Sequence, residues 1–113
     1  MGGDSRDSVI RAAMAEMVNA VTALQQHGQP AVSQAFKNLA ERVIGSEIAA
    51  QTRQDIVENL VYVAQQAQAP PERRKRGVVK AALAFVRHSM QSSAPLNDAW
   101  HTFGHTIENF FHL

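Results

Sequence analysis

Apolar residues recur along this chain at three- and four-residue steps, with no stretch of strand-like alternation, so the pattern predicts helices and no sheet. From Asp7 to Gln26 the stripe is Ile10, Ala13, Met14, Met17, Val21 and Leu24, with Asp4, Ser5 or Asp7 available as N-caps. His27-Gly28-Gln29-Pro30 should end this helix, because Gly28 can take a left-handed cap and Pro30 suits the first position of the next helix. A second stripe of Val32, Phe36, Leu39, Ala40 and Val43 closes at Gly45. A third helix is expected from Ser46. Its apolar positions, Ile48, Ala49, Ile56, Leu60, Val63 and Ala64, widened by Val57 and Val61, cover nearly half the circumference and mark it as the central helix.

Pro70-Pro71 stops the third helix and Pro71-Glu72 should open a fourth, with an acid near the positive dipole end. Val78, Val79, Ala82, Leu83, Val86 and Met90 form its expected buried side. Gly77 within it costs about 1 kcal/mol relative to alanine, so either a helix crosses closely there or the helix begins later. After a short loop, Gln91 to Pro95, the last eighteen residues resolve into two faces. Leu96, Trp100, Phe103, Ile107, Phe110 and Phe111 share an arc of roughly 100°, and His101, His105, Glu108 and His112 share one of about 60° on the other side. Short connections favour antiparallel neighbours, so the expected fold is all-α, an up-and-down bundle of four to five antiparallel helices. Residues 1–6 read as a flexible lead-in and 7–113 as a single bundle domain.

The chain has 113 residues, enough for folding to bury about two-thirds of its extended surface without staples. It contains no cysteine, which removes thiol chemistry and cysteine metal sites and is compatible with the expected cytoplasmic location. Eleven Lys and Arg against ten Asp and Glu leave a formal charge of +1, so any electrostatic function rests on local patches. No apolar run approaches the ~20 residues that span a bilayer, and Arg6 stands where an N-myristoylation motif needs Ser or Thr.

Three patches carry candidate chemistry. His101 and His105 at i, i+4 could share a metal, extended by Glu108 and His112; however, Thr102 occupies the position where a zinc hydrolase of this spacing keeps its glutamate. A solvated polar face explains the same residues, and no metal or cofactor is assigned. Arg73, Arg76, Lys80 and Arg87 lie within about 60° on an ideal helix, a basic stripe that suits phosphate, an acidic protein surface or plain solvent. Arg53 projects from the apolar arc of the third helix and is expected to snorkel or to pair with an acid such as Glu16 or Glu41. There is no Gly-rich phosphate loop and no nucleophile elbow, so no catalytic residue is assigned and the chain is read as not an enzyme.

From Ser46 to Phe111, a central helix ends in a Gln/Ala-rich turn. Ala-Pro-Pro-Glu-Arg-Arg-Lys-Arg-Gly-Val-Val-Lys-Ala-Ala-Leu follows, then a last helix with Leu96, Trp100, Ile107 and Phe110-Phe111. This order resembles the small all-helical adaptor or effector-associated modules of bacterial multidomain signalling and conflict-system proteins. The resemblance implies a protein–protein contact role. The expectation is therefore a helical interaction module that binds a protein partner or itself, through Phe110 and Phe111 at the rim of the domain and through Arg73, Arg76, Lys80 and Arg87. A small nucleic-acid-binding regulator using the basic stripe is the alternative, and no membrane is involved.

Overall fold

A computed structural model of the chain describes residues 3–113, with side chains from Ser8 onward. The architecture is the expected all-α bundle. It comprises α1 (Gly3–Gln26), α2 (Pro30–Ile44), α3 (Ala50–Gln68), a 3₁₀ turn (Pro71–Arg73), α4 (Arg76–Met90), α5 (Ala94–Ala99), a π-helical turn (Trp100–Gly104) and α6 (His105–Phe110). The last three run on without a break as one final helix. Residues 3–6 of the expected lead-in fall within α1, so Asp4, Ser5 and Asp7, expected before the helix as N-caps, lie inside its bounds. Met1 and Gly2 are outside the described residues.

The break after α1 forms as its residues dictate. Gly28 adopts φ 79°, the Gln29 amide donates to the Leu24 carbonyl (2.9 Å) and the Gly28 amide to Gln25 (3.2 Å), which is the Schellman pattern. Pro30 then starts α2 at its first turn, where the missing N–H has no partner to lose. Ser33 is the one buried polar residue among those described, and its hydroxyl donates to the Val21 carbonyl at 2.8 Å, so its burial is compensated.

Two helix starts come later than the periodicity suggests, for identifiable reasons. The Ser46 hydroxyl donates to the Val43 carbonyl at 2.6 Å, finishing α2 and leaving α3 to begin at Ala50. Ile48 still packs half-buried on the core from this connecting segment. Arg53 forms no ion pair with Glu16 or Glu41. Its Nη1 reaches the carbonyls of Ile44 (3.5 Å) and Ser46 (3.3 Å), tying α3 to the C-terminal end of α2. The fourth helix begins at Arg76, because Arg74 is extended (φ −73°, ψ 131°) and the Lys75 amide is taken by Gln66 Oε1 at 2.9 Å.

α3 packs against α1, α2 and α4, and α2 packs against α1, α3 and the final helix, while α4 closes the ring against the final helix. Ile56, Val57, Leu60, Val61, Val63, Ala64 and Ala67 of α3 are all buried, in keeping with its expected central place. Each large side chain among them stabilises the fold by about 1.5–3 kcal/mol relative to exposure. One face of the bundle is consequently made of α1, α3 and α4 with α3 in the middle, and α2 and the final helix complete the other side.

Candidate interaction surface

The C-terminal aromatic face is mostly consumed by the domain itself. Trp100, Ile107 and Phe111 are buried, and Phe103 and Phe110 pack half-buried against them. This corrects the expectation that Phe110 and Phe111 both stand at the rim: Phe110 flanks the core and Phe111 is inside it. The π turn is the cause: it takes more residues per revolution than an α turn, so positions beyond it lag an ideal wheel by roughly 60°. The lag carries Gly104 and Phe111 into the core and moves Phe103 and Phe110 to its flank. Gly104 is required at this point, since a Cβ there would lie 2.5 Å from two ring carbons of the Trp100 indole.

The helix ends in a second Schellman pattern, with Leu113 N–H donating to Glu108 and His112 N–H to Asn109. His112 takes the left-handed position at φ 59° that glycine usually fills. Over Phe110 lies the Arg74 guanidinium, 4.7 Å from that ring's centroid and 5.6 Å from that of Phe111. The same guanidinium donates from Nε to the Ala69 carbonyl (3.0 Å) and from Nη2 to Ala67 (3.0 Å), satisfying the end of α3. Arg74 thus pins the last helix to the α3–α4 turn. Sequence reasoning assigned it no role of its own because every residue from Arg73 to Arg76 is basic and nothing in the pattern singles it out.

The basic stripe is shorter than expected. Arg73 sits on the separate 3₁₀ turn, out of phase with α4, and Arg76 donates through Nη2 to the His112 carbonyl at 2.8 Å. Lys80 and Arg87 remain as exposed cations on one flank of α4. On the final helix, the His101 and His105 rings stand 6.1 Å apart and His105 Nδ1 meets a Glu108 carboxylate oxygen at 3.3 Å. Among the described residues no three His, Asp or Glu side chains converge on a common point.

A different surface emerges on the α1–α3–α4 face. Val78 is 50% exposed and not buried as its position in the apolar series suggests, and Phe85, seven residues on, is 40% exposed. With Ala81 they occupy about 60° of α4 beside, not within, the buried arc of Val79, Ala82, Leu83, Val86 and Met90. Asn59 and Tyr62 of α3 form the other wall of a shallow groove there. A second groove across Tyr62 continues to Val9 and Ala12 of α1, with Glu16 and Glu58 at its edges. The available signal in the sequence was Phe85, an aromatic outside the core stripe of an otherwise regular helix.

Comparison with protein-family models, with curated proteins and with solved structures returns no match to this chain. No helix among the described residues is long and apolar enough to cross a membrane.

Proposed function

We propose that the chain is a non-enzymatic protein–protein interaction module whose contact face is formed by α1, α3 and α4. The observation that carries this reading is the second apolar side of α4. A helix on the outside of a bundle needs one apolar stripe for the core, and Val78, Ala81 and Phe85 form another that the bundle does not use. Apolar anchors at i, i+3 and i+7 are the spacing by which helices dock on one another across interfaces. Tyr62 beside them adds a large amphipathic side chain of the type enriched in contact patches. The face differs from the C-terminal one expected from sequence, since Phe111 is occupied within the core.

Site-specific photo-crosslinking tests the proposal. A photoreactive side chain placed at Phe85 in cells making this chain should give a discrete covalent protein adduct, and the same group at exposed Lys37 on α2 should not. Equal or absent labelling at the two positions overturns the reading.

A further inference from the structure

We infer that the occupant of the α1–α3–α4 face is a basic amphipathic helix of another protein, with its apolar side on Val78 and Phe85 and its Lys or Arg side chains over the carboxylates of α3 and α1. This rests on the contact face proposed above and specifies its partner by chemistry. The charges beside the apolar strip carry it.

Asp55 and Glu58 stand one turn apart on α3, and Glu16 of α1 edges the same groove as Glu58 and Tyr62. Tyr62 also lines the groove of Val78 and Phe85, so acids and apolar strip belong to one continuous face. Both α3 carboxylates are held by neutral donors: Gln51 Nε2 donates to Asp55 at 2.9 Å and Gln54 Nε2 to Glu58 at 3.2 Å. They are oriented without being neutralised. The described cations of the three helices point elsewhere. Arg53 donates to the Ile44 and Ser46 carbonyls, and Arg11 is about 140° round α1 from Glu16. On α4, Lys80 and Arg87 lie about 140–180° from Val78 and Phe85, and Arg76, on their flank, donates to the His112 carbonyl. Lys75 precedes α4 and stands beyond the strip, at the Gln66 end of α3. Among the described residues the one ion contact is His105–Glu108, on the final helix.

An apolar strip flanked by carboxylates sorts the candidate occupants. A second copy docked through the same face would bring the same acids and no cation. Nucleic acid and anionic lipid present phosphates, which the carboxylates repel. A protein segment with cations beside its apolar residues meets both requirements. Val78, Ala81 and Phe85 have the spacing of helix contacts, and the groove between α3 and α4 seats one further helix about 8–10 Å from each axis. The long apolar stems of Lys or Arg on that helix suit a path across Tyr62 and Asn59 towards the α3 carboxylates.

Photo-crosslinking from position 85 in cells, followed by mass spectrometry of the adduct, tests the inference. The labelled partner peptide should carry Lys or Arg within about two helical turns of the attachment point. Glu16→Lys with Glu58→Lys, both at exposed positions, should cut the adduct about tenfold with an unchanged far-UV spectrum. Glu41→Lys with Glu47→Lys, the same change of charge beside a different cleft, should leave it intact. A second measurement uses two helical peptides of about 18 residues that share one leucine stripe and differ only in Lys or Glu along its flank. The Lys peptide should bind the purified chain about tenfold more tightly at low salt, and lose that advantage in the Glu16→Lys and Glu58→Lys double variant. An adduct that survives the double variant, a labelled segment without cations, a second copy of this chain as the captured protein, or no difference between the peptides overturns the inference and leaves the contact face standing. No adduct from position 85 removes the contact face as well.

Discussion

Gly104→Ala isolates the packing that makes the final helix what it is. The added methyl would sit 2.5 Å from two carbons of the Trp100 ring and 2.7 Å from a third. The indole is 2% exposed and cannot swing into solvent without leaving the core. Forcing a methyl into such a site costs about 1–3 kcal/mol, and expelling the ring instead forfeits burial worth about 1.5–3 kcal/mol. Alanine's better helix propensity returns up to about 1 kcal/mol, so a net loss near 1 kcal/mol is expected. At an unfolding entropy of about 2.1 cal/mol/K per residue, that loss lowers Tm by roughly 4 °C. Urea unfolding followed by far-UV circular dichroism reads the stability, and Trp100, as the only tryptophan, reports its own environment by fluorescence. Gly77→Ala is the matched control, because nothing lies within 4 Å of its would-be Cβ, and it should stabilise by about 0.5–1 kcal/mol. If Gly104→Ala is as stable as the parent with an unshifted emission maximum, the π turn and its Trp–Gly contact are wrong.

Other outcomes follow from named contacts. His112→Gly should stabilise by about 0.5–1 kcal/mol in thermal unfolding, because glycine takes the left-handed C-terminal position without a Cβ penalty. Arg74→Ala should destabilise by about 2 kcal/mol through two lost carbonyl hydrogen bonds and its stacking on Phe110, and Arg74→Lys should not restore the loss because an ammonium lacks the planar fork. Phe111→Ala should cost about 3 kcal/mol in urea unfolding, as a core residue does and a rim residue does not. Zinc titration should give no binding tighter than about millimolar and no rise in Tm, since no three His, Asp or Glu side chains among the described residues converge on a common point.

Element types and breaks were readable because they depend on local chemistry. Gly28, Pro30, Pro70-Pro71 and Pro95 act on the backbone whatever surrounds them, and the wide apolar arc of α3 requires neighbours on several sides. Helix starts at Ala50 and Arg76 were not readable, because they depend on which distant carbonyl or amide a side chain satisfies: Ser46 on Val43, Gln66 on Lys75, Arg74 on Ala67 and Ala69. The place of Phe111 was missed for a related reason. It belongs to the apolar arc but lies near the chain end, where fraying is expected; the π turn and the closing Leu113–Glu108 and His112–Asn109 hydrogen bonds hold it in the core. The isolated glycine four residues after the tryptophan was the one sequence clue to that turn. Val78 shows the limit of periodicity from the other side, since an apolar residue adjoining a core stripe can face either the core or solvent.

The contact face is tested most directly by photo-crosslinking in cells with the reactive group placed in turn at Val9, Tyr62, Val78 and Phe85, and at Phe110 and Lys37 for comparison. The account predicts a common protein adduct from the positions on the α1–α3–α4 face and none from Phe110 or Lys37. Adducts centred on the C-terminal aromatic end, or none from the α1–α3–α4 face, would contradict it.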